Sequence, residues 1–198
     1  MERVALSVPN LLSLFRMALV PLFVIAITRD AALEALLVFV VAGITDAFDG
    51  FVARFWNQKT ALGAYLDPAA DKLLLTSAYV TLTIESVNPA LTIPLWVTIL
   101  VIARDVAIVI AAFSLSMAVG IKSFPPALIS KVTTVMQVVA VVLVLVHLVW
   151  PGEPLRTVAT VAIYAVPVLT VASGLYYVRL FDRRLAEQRV GEPPGPRG

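Results

Sequence analysis

Apolar residues run through this chain in six long blocks, and polar residues gather at the breaks between them. The blocks predict helices near 11–28, 33–54, 68–84, 93–118, 127–148 and 155–179. The breaks fall at Arg29-Asp30, Asn57-Gln58-Lys59, Asn88-Pro89, Gly120 through Pro126, and Pro151-Gly152-Glu153-Pro154. Beyond Arg179 the chain turns charged and ends in Pro-Pro-Gly-Pro-Arg-Gly, which predicts a short helix and then a disordered tail. The expected organisation is one membrane domain over 1–182 and a charged, partly disordered cytoplasmic tail over 183–198.

Composition says what solvent those helices need. The 198 residues are 60% hydrophobic and 14% charged, with a mean hydropathy of +0.95. A soluble domain of this size has too little interior to hide that much apolar surface. The expected fold is therefore all-α, a polytopic integral membrane protein with six transmembrane helices. A net charge of +2 gives no footprint for nucleic acid, and zero cysteines exclude disulfides, thiolate catalysis and zinc–thiolate sites.

The cations orient it. With the amino terminus inside, one side collects Arg3, Arg54, Lys59, Lys122, Lys131, Arg179, Arg183, Arg184 and Arg189, and the other keeps Arg29 and Arg156. The positive-inside rule then puts both termini in the cytoplasm. Trp96 and Trp150 fall where interfacial anchors belong on the outer side. No cleavable leader or targeting presequence is recognisable, which favours a bacterial inner membrane.

Against this apolar background stand Asp46, Asp49, Asp67 and Asp71. Acids three or four apart share a helix face, and a short loop would make the two helices antiparallel neighbours with their acidic faces meeting at the cytoplasmic end. Four converging carboxylates repel one another unless cations join them. Hard, oxygen-ligated ions such as Mg²⁺ or Mn²⁺ suit that donor set, and four acids suffice for a two-metal site used in displacement at phosphorus. Gly50, Ala53 and Gly63 leave room beside the acids, and Arg54 adds a bidentate phosphate donor. The plainer reading of the small residues is helix packing. Their combination with the acids favours a diphosphate pocket.

The sequence Asp46-x2-Asp49-Gly50-x2-Ala53-Arg54-x8-Gly63-x3-Asp67-x3-Asp71 resembles, at every position, the signature of the CDP-alcohol phosphotransferases. That resemblance implies a six-helix membrane enzyme in which Asp46, Asp49 and Asp67 hold two divalent cations. Asp71 would complete the metal site and act as general base, while Gly50, Ala53, Arg54 and Gly63 contact the CDP group. The implied reaction transfers a phosphatidyl group from CDP-diacylglycerol to an alcohol, releasing CMP. Members of the family are often homodimers, but six apolar helices give no interface that sequence alone picks out.

The acceptor is harder to read. Val8-Pro9-Asn10-Leu11-Leu12-Ser13-Leu14-Phe15-Arg16 resembles the glycerophospholipid branch, whose acceptors are phosphatidylglycerol or glycerol 3-phosphate. The segments Arg104-Asp105-Val106, Ala111-Ala112-Phe113 and Ile129 through Thr134 are more similar to the cardiolipin synthases. Two cations common in phosphatidylglycerophosphate synthases are replaced here by uncharged residues. Fewer cations suit the singly charged phosphodiester of phosphatidylglycerol better than a dianionic phosphomonoester, so phosphatidylglycerol is the expected acceptor and glycerol 3-phosphate the alternative.

Arg104, Lys122 and Lys131 are the candidate acceptor contacts. Their alternatives are a structural ion pair with Asp105 or a motif acid for Arg104, and a positive-inside role for Lys122. Asn10 and Arg16 border the expected nucleotide pocket, or else cap a helix and snorkel. Lys72 could tune the neighbouring base or reach the headgroups. A cation transporter would also need membrane acids, but spread along a path and without an arginine beside them.

Overall fold

The computed structural model describes the backbone of residues 8–56, 63–119 and 128–191, and the side chains of 13–46, 72–110 and 129–176. Those residues form six helices and no strand: α1 (Val8–Thr28), α2 (Ala32–Trp56), α3 (Gly63–Leu82), α4 (Leu95–Val119), α5 (Leu128–Val149) and α6 (Glu153–Gly191). Two differences from the sequence expectation concern helix ends. The third helix was expected near 68–84, yet α3 begins at Gly63 and takes Asp67 and Pro68 inside it. The last helix does not stop near Arg179 but runs unbroken to Gly191. Its 39 residues make a rod of about 58 Å, well over the roughly 30 Å of a bilayer's hydrocarbon core.

Local chemistry explains the ends. At the close of α1, the Ala31 N–H donates to the Ala26 carbonyl (3.0 Å) and the Asp30 N–H to the Ile27 carbonyl (3.3 Å). Asp30 itself has φ 58°. This is a Schellman cap with aspartate at the left-handed position that glycine normally takes. Asp30→Gly should raise stability by about 0.5–1 kcal/mol by removing the Cβ penalty, read as a higher midpoint of thermal unfolding in detergent; an unchanged or lower midpoint would contradict the assignment. At the other end of the chain, Glu153 and Pro154 open α6, an acid and a proline in the first turn, where both are favoured.

Several threonines within the apolar helices satisfy their hydroxyls internally. Thr45 donates to the Val41 carbonyl (2.7 Å), Thr81 to Ser77 (2.7 Å) and Thr133 to Ile129 (2.7 Å). Such back-bonding keeps these three hydroxyls from facing hydrocarbon unpaired. The twelve-residue link from α3 to α4 is tied by Asn88, which is fully buried and accepts from and donates to Leu91.

α5 and α6 form one closely packed hairpin; α1 packs against both α2 and α3, α2 meets α5, and α4 lies on α6. Phe23 of α1 and Phe39 of α2 meet at 5.9 Å, an antiparallel register that also brings Arg16 to Asp46. α2 and α3 were expected to be direct neighbours. Among the described residues they are joined mainly through α1, which packs against both with the stripe Arg16, Leu19, Phe23 and Ala26–Ile27 buried. The six residues between Trp56 and Gly63 still limit those helix ends to about 25 Å apart.

The outer surface is apolar. Val158, Val161, Val168, Val171 and Leu175 of α6 all face outward and are at least half exposed. Ile129–Val149 and Glu153–Tyr176 are each long and apolar enough to cross a membrane, and only 39% of each such window is buried. Water would not tolerate that surface, so the protein is membrane-associated.

Candidate functional site

Four helices converge on one pair of side chains, Arg104 and Asp105. Arg104 lies midway along α4, 8% exposed. Its Nη1 donates to Asp105 Oδ1 (2.8 Å), and its Nη2 to Ser130 Oγ of α5 (2.7 Å) and Ser173 Oγ of α6 (3.2 Å). The second oxygen of Asp105 accepts from Lys72 Nζ of α3 at 2.6 Å. One carboxylate thus holds two cations from two helices. A buried ion costs several kcal/mol in desolvation unless its partners are well aligned, and here each oxygen of Asp105 has its own donor. α3 and α4 touch over only a short stretch, where Lys72–Asp105 is the charged tie and Thr98 bonds Thr83 (2.6 Å) at the other end.

Beside this node is a cavity of about 490 Å³. Its polar lining comes from Lys72, Arg104, Asp105, Ser130, Lys131 and Thr134, and its apolar lining from Ile108, Val109 and Val135. Three cations against one carboxylate leave it positive, and Lys131 at its edge is exposed. Such a site takes an anion, most naturally a phosphate, with apolar groups attached.

A second ion pair joins the first two helices. Arg16 is 1% exposed and contacts Asp46, whose side chain remains about half exposed. Sequence reasoning offered Arg16 as a nucleotide contact or a snorkelling side chain. Full burial rules out snorkelling, and the observed partner is a motif acid. Asp49 lies three residues on in α2, and Asp67 and Asp71 four apart in α3. Their side chains lie outside the described residues, as do those of Asn10, Gly50, Ala53, Arg54 and Gly63, while Lys122 lies outside them entirely. The helical spacing alone puts each pair of acids on one face. Carboxylate oxygens on two tethered helices are a donor set that fits Mg²⁺ or Mn²⁺ and not a softer metal.

The structure therefore joins Arg104 and Lys131 at one cavity and brings Arg16 to Asp46. For Arg104 the two sequence readings, anion ligand and structural ion pair, are compatible: it pairs with Asp105 and still lines the cavity. Lys72 neither reaches outward nor stands alone, being held by Asp105. Ser130 and Ser173 were missed. Serines in apolar helices usually bond to their own backbone; the only hint was that one neighbouring carboxylate leaves several of the guanidinium's donors to find other acceptors.

A family profile described as CDP-alcohol phosphatidyltransferase matches residues 6–172. Among curated proteins, the cardiolipin synthase (CMP-forming) of Rattus norvegicus is 45% identical over 108 residues, 54% of this chain and 34% of that protein. The human cardiolipin synthase (CMP-forming) is 44% identical over the same extent, so the match spans about a third of these proteins' length. The CDP-diacylglycerol–glycerol-3-phosphate 3-phosphatidyltransferase of Salmonella typhimurium is 39% identical over 188 residues, 92% of this chain and 98% of that protein. A profile covering most of the chain and a relative aligned nearly end to end lead to one assignment: the protein belongs to the CDP-alcohol phosphatidyltransferase family.

Proposed function

We propose that the protein transfers the phosphatidyl group of CDP-diacylglycerol to a hydroxyl of phosphatidylglycerol, releasing CMP and forming cardiolipin. The observation that carries this reading is the cationic cavity with apolar walls beside the motif helix α3. Asp46, Asp49, Asp67 and Asp71 would hold two divalent ions, Mg²⁺ or Mn²⁺. Bound there, such ions supply charge neutralisation on the diphosphate and its CMP leaving group. Gly50, Ala53, Arg54 and Gly63 seat the CDP portion, with Asn10 and Arg16 at its border.

Asp71 accepts the proton of the acceptor hydroxyl. The freed oxygen forms a bond to the phosphorus that carries diacylglycerol, and the bond from that phosphorus to CMP breaks. Arg104, Lys131 and Lys122 hold the phosphate of the acceptor and orient its hydroxyl. Lys72 and Asp105 keep Arg104 in place relative to α3.

The wider reading is six membrane spans with both termini cytoplasmic, a catalytic domain over 1–182 and a tail over 183–198. The cation asymmetry supports this orientation. On this reading the site faces the cytoplasm, in a bacterial inner membrane. Glycerol 3-phosphate is the second reading for the acceptor. The name of the relative aligned over 98% of its length favours it, whereas the segments similar to cardiolipin synthase and the apolar cavity walls favour phosphatidylglycerol.

CMP release by purified protein in mixed micelles tests the metal-dependent chemistry. Release should vanish with EDTA and return when Mg²⁺ or Mn²⁺ is added in excess. Chelator-insensitive release would remove the carboxylate–metal assignment.

A further inference from the structure

The helices flanking the cavity do not close over it. α4 packs on α6 and briefly on α3, and α5 packs on α6 and α2, while among the described residues α4 and α5 have little packing against each other. The cavity occupies the groove between them, with α6 behind it. Its inner end carries Arg104, and its edge carries Lys131. Its lips are Val109 and Val135, which are 64% and 62% exposed. The outward surfaces flanking these lips are apolar too, with Val106, Ile110 and Val132 all at least half exposed.

A groove that is cationic within and apolar at a membrane-facing mouth matches one kind of molecule, an anionic lipid. A water-soluble phosphate ester would need the cations but gains nothing from valine lips in hydrocarbon. We propose that the α4–α5 groove is the lateral entrance and acyl seat of the acceptor lipid, phosphatidylglycerol. Its phosphodiester reaches Arg104 and Lys131 while one acyl chain lies along Ile108, Val109 and Val135 and continues into the bilayer. This rests on the reading that the acceptor is a lipid. It adds where that lipid enters and which side chains its chain touches. The lipid then never leaves the membrane to react, and its hydroxyl end meets α3 from the side.

Val109→Trp and Val135→Trp test the groove, because indole at either lip fills the space an acyl chain would use. Their surfaces face outward, so the bundle itself has no core to lose. In mixed micelles the KM for phosphatidylglycerol should rise about tenfold from the lost apolar contact, with kcat and the KM for CDP-diacylglycerol unchanged and Val168→Trp, on the outward face of α6 away from the groove, like wild type. As a measurement independent of any variant, phosphatidylglycerol with a diazirine in its acyl chain should crosslink to peptides of α4 and α5. An unchanged KM for phosphatidylglycerol would overturn the proposal. So would a rise confined to CDP-diacylglycerol, which would give the groove to the donor, or a change in oligomeric mass, which would give it to a second copy of the chain. If the wild type uses glycerol 3-phosphate and never phosphatidylglycerol, the acceptor reading itself fails. If it uses phosphatidylglycerol and the tryptophans have no effect, only the groove does.

Discussion

Asp71→Asn should reduce turnover by about a thousandfold, within the range for removing a general base, while CDP-diacylglycerol still binds. Asparagine keeps an oxygen that can face a cation but cannot accept the acceptor's proton. The resemblance gives Asp71 both duties, and this substitution separates them. If it is the base, kcat collapses and the binding of CDP-diacylglycerol measured by calorimetry in the presence of Mg²⁺ changes little. If it is chiefly a metal ligand, donor affinity falls together with turnover and is partly recovered at high Mg²⁺. Turnover close to wild type would remove Asp71 from the chemistry.

Arg104→Gln should lower kcat/KM for the acceptor by about a hundredfold, in line with losing one partner of a desolvated phosphate contact. The loss should fall on the acceptor and leave the KM for CDP-diacylglycerol near its starting value. Arg104→Lys should rescue poorly. The guanidinium sends Nη1 to Asp105 while Nη2 reaches Ser130 and Ser173 on two other helices, and an ammonium is a single point that cannot span that fork. In the glutamine variant Asp105 keeps Lys72 as partner, so it is not left as a buried lone charge and the protein should still fold. Equal losses for donor and acceptor, with lower thermal stability, would mean that Arg104 only braces the bundle.

What could be read from the sequence follows the range of the forces involved. Six apolar blocks gave six helices because hydrophobic length and the Pro, Gly and Asn breaks are local signals. Helix ends were less legible. The third apolar block suggested a start near residue 68, but five helical residues precede Pro68 in α3. The charged stretch after Arg179 suggested a new element, but leaving the apolar zone does not oblige a helix to stop, and α6 continues.

Three-dimensional neighbours were least legible. A short link between α2 and α3 argued for direct packing at their acidic ends, whose side chains lie outside the described residues; among the described residues α1 packs on both and mediates between them. The four aspartates were visible at once because acids in apolar blocks are costly. The attachment of Arg16 to Asp46, and of Lys72 to Asp105, spans 30 and 33 residues. No periodicity reports such a pairing. Charge balance could have suggested it, since each of these cations lies within an apolar helix and needs an anion or water.

The most direct test of the account is the product formed by purified protein from CDP-diacylglycerol, Mg²⁺ and an equimolar mixture of phosphatidylglycerol and glycerol 3-phosphate, followed by mass spectrometry of the lipids. Cardiolipin accumulating in step with CMP is the expected result. Phosphatidylglycerophosphate as the product would contradict the acceptor assignment, and no CMP from either acceptor would contradict phosphatidyl transfer as the function.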